Sequence, residues 1–576
     1  MRRPNFVANE ALWALGVTLV VGGSIACGEA TIGTPGSDTS APSPSTGGSP
    51  TAPGVTPPGV GGNGGGGNPT SPPTDCQDPV SAVIEPRAWR LNEAQYRRTV
   101  LQLFDGDLPS GLDAVTWPFA GEDNLSGEAF TTLSSGPRVV AASFDRALEA
   151  AERVSRVYVQ AARDGDGCMR EEPIAADCLE DFVVEAAQVL FRRSDVAAAL
   201  EPQLAELEDS APDERVALAE ELVLSLLMNP RFLFRLELGR PTVSPQELAE
   251  RISYSLTDAP PDAELLARVE DGTLSEPSVL ATQIDRLVFT PQGLEKATKF
   301  IREYLRYDKL FTVDPRANQR DVPSFRPNEL VEDTDALVEH LLQTKGRQGF
   351  LTALFSTDEI FVQDKTREYY GDIGDVGGEP TLVTSYLGER KGLLTQPSWL
   401  VSFSQGHRND PIERGRFIRE QILCEYIPEI AISDVEPVPE DDSIPLAERL
   451  RAHTAPTECS QCHVLMDDLG LALEQYDHYG RYRAEEAGQP VQTAGQIVAG
   501  GDANGSFANT SDFLGKLADS RTVSTCFAQH AFAFYLGREI RTDEACLAQQ
   551  AEGVFTEAGQ SLPALLSFYF QNSQQR

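Results

Sequence analysis

The chain has 576 residues, with 87 acidic side chains against 48 basic ones and a formal net charge of −39. A nucleic-acid binder inverts that balance, so phosphate-backbone recognition is excluded, and an acidic surface instead suits a basic partner. The length exceeds what a single growing core sustains, so several folded modules are expected.

Residues 1–27 read as an export signal. Arg2 and Arg3 form a short basic region, Ala11 to Val21 an apolar one too short for an ordinary membrane span, and Ser24-Ile25-Ala26-Cys27 a small-residue cleavage site. The last four residues resemble a bacterial lipobox with Ser where Leu or Val is usual, which would make Cys27 the lipidated first residue of an exported protein held at a membrane. An ordinary signal peptide cut near the same place is the alternative. Residues 28–75 are Gly, Pro, Ser and Thr with almost nothing apolar, a composition that cannot offset the entropy of ordering and is expected to be a disordered tether.

From residue 76 onward, helical periodicity dominates and strand alternation is rare. Helices are predicted at Arg90 to Phe104 and Val139 to Ala162 in a first module (76–165), and at Leu179 to Arg192 and Glu214 to Met228 in a second (166–240). In a central module (241–380), Ser244-Pro245-Gln246-Glu247 is a capping box with Pro at the first helical position. Further helices follow there at Ser278 to Phe289, Gly293 to Leu310 and Asn328 to Leu342. Ile360 to Gly388 reads as a long loop or small hairpin. A module at 385–485 opens with a helix over Ile412 to Cys424, and Ile432 to Pro445 should be an exposed acidic connector. A last helical module (486–576) carries helices at Ser511 to Leu517 and Thr525 to Leu536. The fold class expected is mainly α.

The most specific stretch follows the connector. Cys459, Cys462 and His463 form a C-x-x-C-H unit, the pattern of a covalent haem c attachment site. At i, i+3 and i+4, one helical turn puts both thiols and the imidazole on one face. The thiols can then form thioethers to the two vinyl groups while the imidazole ligates iron from the same side. Zinc would need further close Cys or His residues, and only His453 is near. Export and covalent haem c agree in compartment. With Cys27 and the two haem cysteines set aside, Cys76, Cys168, Cys178, Cys424, Cys526 and Cys546 remain, an even number suited to disulfides. Short separations favour Cys168 with Cys178 and Cys526 with Cys546, leaving Cys76 with Cys424.

The ordered motifs resemble the planctomycete-type multi-domain cytochrome c-like family. Leu91-Asn92-Glu93-Ala94-Gln95-Tyr96 is similar to its opening helix, and Asn229-Pro230-Arg231-Phe232-Leu233-Phe234-Arg235-Leu236-Glu237 to its next module. Glu247 to Leu256 with Pro261 to Leu266 match the one after. Gly392-Leu393-Leu394-Thr395, Asp410-Pro411-Ile412-Glu413-Arg414-Gly415 and the haem segment look like its cytochrome-bearing module, and Cys526 with Leu536-Gly537-Arg538 like its closing one. The chain departs from the family at Asp468, where Pro is usual, and at His407. The resemblance implies an α-rich secreted haem protein and supplies no substrate.

His463 is the expected proximal ligand. For the sixth position, Met466 is too close to His463 to reach the opposite face, and Met228 reads as core. His453 is the nearest candidate, its alternative being a partner for a helix C-terminus, and His530 is a second candidate. An open sixth position would permit small-molecule binding. His340, His407 and His478 read as surface. Tyr476, Tyr479, Arg481 and Arg483 either pack on the macrocycle and pair with a propionate, or close a helix end. Asp467 and Asp468 place negative charge near the ligand and would favour ferric iron. Asp164-Gly165-Asp166-Gly167 and Asp502-Ala503-Asn504-Gly505 are turns that lack the Glu of a calcium loop. No nucleotide-binding, lipase-like or zincin motif is present. Three readings follow: an electron-transfer protein, a haem-dependent oxidoreductase acting on a substrate held upstream, and a surface scaffold with a structural haem.

Overall fold

The structure, a computed structural model, describes residues 76, 86–119, 130–133, 141–208, 210–237, 242–315, 325–384, 390–427, 438–541 and 544–573. The export segment, Cys27, the tether up to residue 75 and the 432–437 part of the acidic connector lie outside them. Among the described residues the fold is mainly α, with short antiparallel strand pairs and no larger sheet.

The chain starts with β1 (Arg87–Arg90) and α1 (Glu93–Leu101), then α2 (Ala141–Asp164), α3 (Ala176–Phe191), α4 (Ala197–Glu208), α5 (Arg215–Leu227), α6 (Pro230–Leu233) and β2 (Phe234–Glu237). Asn92 caps α1 reciprocally with Gln95, satisfying two otherwise orphaned amides. β1 and β2 pair antiparallel with Arg87 opposite Glu237, and Arg87 Nε donates to that carboxylate at 2.8 Å. Leu91, Tyr96, Val100, Val154, Leu179, Val183, Leu190, Val223 and Phe232 share one apolar core.

The central part runs through α7 (Pro245–Thr257), α8 (Ala263–Glu270), α9 (Pro277–Val288), α10 (Pro291–Leu305), α11 (Pro327–Lys345) and α12 (Phe350–Ser356). The Ser244 to Glu247 capping box forms as the sequence predicts, and Pro occupies a first-turn position of α7, α9, α10 and α11. The Ile360 to Gly388 stretch, described as far as Thr384, forms a hairpin of β3 (Glu359–Val362) and β4 (Thr381–Thr384) enclosing the short α13 (Arg367–Tyr370). There follow α14 (Pro397–Ser402), a two-residue ladder of β5 (Ser404–Gln405) with β6 (Arg408–Asn409), and α15 (Pro411–Phe417). The helix predicted up to Cys424 widens into a π-turn at Ile418–Ile422 and stops at Cys424, whose φ is 50°.

Past the connector lie α16 (Leu446–Thr454), α17 (Thr457–His463) and α18 (Asp467–Leu471). Then come β7 (Glu485–Glu486) with β8 (Gln489–Pro490), β9 (Gly495–Ile497) with β10 (Gly505–Phe507), and α19 (Thr510–Ala518), α20 (Arg521–Leu536), α21 (Ala545–Glu557) and α22 (Leu562–Asn572). A second continuous core draws on α7, α10, α11, α12, α14, α18, α20, α21 and α22, so the stretches set apart from residue 241 onward pack around common apolar contacts. Gly537 closes α20 at φ 68°, where a Cβ would come within 2.5 Å of Trp89 Cζ2 from β1. The Leu536-Gly537-Arg538 motif is therefore a close approach that only glycine permits.

Candidate functional site

The segment carrying Cys459, Cys462 and His463 is fixed by a helix crossing at which α15 and α18 meet through glycine. A Cβ on Gly470 would lie 2.6 Å from Pro411 C, and one on Gly415 2.8 Å from Met466 C, so both backbones approach as closely as atoms allow. Beside the crossing, Arg414 is fully buried. Its Nε and Nη2 donate to Phe403 O and Leu400 O, each at 3.1 Å, and its Nη1 lies 3.7 Å from Glu474. Glu474 is equally buried and accepts from Asn409 Nδ2 at 3.0 Å and Arg483 Nη2 at 2.7 Å. Burial pushes the Glu474 carboxyl above its usual range, with Arg483 and Arg414 opposing it, and burial lowers Arg414 against the pull of Glu474.

From this base α17 stands at the surface. It is a helix of seven residues, as the spacing predicts, with Cys459, Cys462 and His463 each partly exposed. Among the described residues these two cysteines alone are outside disulfides. His463 Nδ1 lies 2.7 Å from Asp467 Oδ1, across the break between α17 and α18. Asp467 is buried, and its Oδ2 lies 3.0 Å from the Thr454 hydroxyl at the end of α16. Asp468, where a Pro would offer no side-chain acceptor, takes the Gln496 amide at 3.0 Å and lies 3.5 Å from Arg451. The two adjacent acids thus point to different partners.

The disulfides correct the sequence expectation. Cys168 pairs with Cys178 as predicted, but Cys76 pairs with Cys546 and Cys424 with Cys526, where short separation favoured Cys526 with Cys546. Short loops are favoured in a random chain. Here the fold decides, because it brings the two distant pairs to Cα separations of 5.2 and 5.5 Å and docks Cys76 O on Gln550 at 2.9 Å.

The candidate sixth ligands sit elsewhere. His530 is on α20, packed against Phe130 and Tyr304 at ring-centroid distances of 5.7 and 5.1 Å, with Nε2 3.7 Å from Cys424 Sγ. Burial pushes its pKa down to about 4, and its neighbours are a disulfide and aromatic rings of the core rather than α17. His453 is partly exposed at the end of α16. Its neighbour Thr454 reaches Asp467, the residue that meets His463 at Nδ1.

Other assignments sharpen. Tyr476 and Tyr479 are buried, and Tyr479 Oη donates to Pro315 O at 2.8 Å. Arg481 pairs with Asp477 at 2.7 Å, while Arg483 holds Glu474 and lies 3.3 Å from Glu486. These four residues close and brace the segment after α18. His407 is exposed and near Glu440, but His478 is half-buried against Tyr479 with its pKa lowered to about 4 by burial. Asp502 caps α20, accepting from Ser520 Oγ, Arg521 N and Thr522 N; these bonds outweigh burial and hold it at about 2.

The donor set fits a covalent haem. Two cysteines outside disulfides, one turn apart, precede an imidazole whose Nδ1 meets Asp467, so Nε2 is the nitrogen open to a ligand. The direct contact of Asp467 with His463 and the role of Glu474 escaped the sequence reading. The i, i+4 spacing of His463 and Asp467 was visible, whereas the partners of Glu474 lie 65 residues before it and nine after, with no local signal.

Comparison with known families places two stretches. Residues 390–486, which include α14 to α18 and the whole C-x-x-C-H segment, match the PSCyt3 model, a protein of unknown function (DUF1588). Residues 243–371 match the PSD4 model, a protein of unknown function (DUF1592). Both are domains of the planctomycete multi-haem cytochrome c family, and together they span less than half of this chain. No curated protein and no solved structure matches significantly.

Proposed function

We propose that this chain is an extracytoplasmic c-type haem protein that passes single electrons through one haem held by Cys459, Cys462 and His463. The observation that carries the reading is that the cysteines of the C-x-x-C-H turn are free while Cys76, Cys168, Cys178, Cys424, Cys526 and Cys546 are paired. A chain built for an oxidising space and still presenting two reduced thiols beside an imidazole is arranged for thioether formation. Bound haem supplies a one-electron ferric/ferrous couple. The chain does the rest: the thiols fix the group at the surface, His463 offers Nε2, and the α15/α18 crossing holds that turn on a rigid base. Partial exposure of Cys459, Cys462 and His463 suits electron exchange at the protein surface. The −39 charge suits a basic redox partner.

Among the described residues no helix is long and apolar enough to cross a membrane. Attachment through a lipidated Cys27 and the tether is part of this proposal. The test is expression with a haem c maturation system followed by a spectrum in denaturing alkaline pyridine. A haem c spectrum that survives solvent extraction supports the reading. A folded protein whose haem is absent or freely extracted overturns it.

A further inference from the structure

His463 meets a carboxylate that three elements converge to hold. Asp467 Oδ1 is 2.7 Å from His463 Nδ1, in α17. Its Oδ2 is 3.0 Å from Thr454 Oγ1, in α16. Its backbone begins α18, which the Gly470 contact with Pro411 pins against α15. The 2.7 Å contact matches an imidazole that donates from Nδ1 to the carboxylate and keeps Nε2 for a ligand. The Thr454 hydroxyl also lies 3.1 Å from Leu450 O, and the charged acceptor is the stronger claimant for its single proton. Asp468 carries the same formal charge one residue on, yet it is turned to Gln496 N and Arg451.

We infer that Asp467 is the positioning residue of the iron ligand: its carboxylate accepts a hydrogen bond from His463 Nδ1, holds the ring with Nε2 available before haem is attached, and biases the bound haem towards the ferric state. This rests on the proposed attachment at Cys459, Cys462 and His463. A carboxylate behind a ligating imidazole raises its donor strength, and a buried charge is screened less than a surface one. The bias therefore comes from a directed contact and not from the general acidity of the chain.

The experiment compares Asp467→Asn and Asp468→Asn in the full, haem-loaded protein. Each removes one negative charge, but only the first touches His463. Asp467→Asn should shift the ferric/ferrous equilibrium at least tenfold towards ferrous, about 59 mV for a one-electron couple. Asp468→Asn should shift it several-fold less. Equal shifts in the two variants, or none in Asp467→Asn, overturn the inference even where the alkaline pyridine spectrum shows covalent haem. Should Asp467→Asn fail to fold, histidine-labelled wild-type protein in the ferrous, carbon monoxide-bound state, which is diamagnetic whatever the native sixth ligand, decides. A slowly exchanging, strongly downfield Nδ1 proton on His463 supports the contact, and a freely exchanging one overturns it. Wild-type protein without covalent haem overturns the attachment reading itself, and this inference with it.

Discussion

The helix crossing under the site gives the most direct stability test. Replacing Gly470 with Ala puts a methyl 2.6 Å from Pro411 C, against a backbone carbonyl that no rotamer change can move aside. Restoring ordinary contact requires α15 and α18 to part, which would draw Leu469 and Leu471 away from their buried neighbours and strain the bonds of Arg414. Overpacking a tight interior costs about 1–3 kcal/mol, and a clash between two helix backbones belongs at the upper end, about 3 kcal/mol. Gly515 in the middle of α19 is the control, because a Cβ there meets nothing within 4 Å. Gly515→Ala should be neutral or stabilise by up to about 1 kcal/mol, as Ala replaces Gly inside a helix. Urea unfolding followed by circular dichroism reads both. A Gly470→Ala protein within about 0.5 kcal/mol of wild type would refute the close-contact argument.

Glu474→Ala removes the carboxylate that faces Arg414 and Arg483, stranding a fully buried guanidinium, and should cost about 3–5 kcal/mol in the same assay. A loss below about 1 kcal/mol would show that Arg414 is satisfied by its carbonyl partners alone. Asp333 is buried, and burial, opposed by Thr366 and Gln363, raises its pKa to about 7. The stability from holding that proton is full below the unfolded value of 3.8 and is lost as pH rises through about 7. Wild type should therefore lose about 3 kcal/mol relative to Asp333→Asn between about pH 5 and 8, and parallel pH profiles would contradict this. His453→Ala in the haem-loaded protein tests the nearest candidate for the sixth ligand: a ferric spectrum that turns from low to high spin supports ligation by His453, and an unchanged one removes it.

Local features were legible in the sequence and long-range ones were not. The turn bearing Cys459, Cys462 and His463, the Ser244 capping box and most helix positions follow from spacing within a few residues, which is where helical geometry acts. Pairing of Cys76 with Cys546 depends on where β1 and α21 come to rest, across 470 residues, and no local rule reports that. The motif Asp410 to Gly415 was recognisable as a pattern, but its reasons are tertiary. Asp410 caps α15, Arg414 threads to carbonyls of α14 and the turn after it, and Gly415 lets Met466 approach. His463 and Asp467 were visible as neighbours at i, i+4, yet only the break between α17 and α18 turns the carboxylate onto the ring.

Covalent attachment at one turn is the central claim, and the mass of one peptide tests it. Trypsin should release residues 452–481 as a single fragment containing Cys459, Cys462 and His463. From protein produced with a haem c maturation system, that fragment should carry the mass of one haem bound through both cysteines, with no mass left for an added thiol reagent. Recovery of the fragment from folded protein with both thiols alkylated, or joined to each other, would contradict the account.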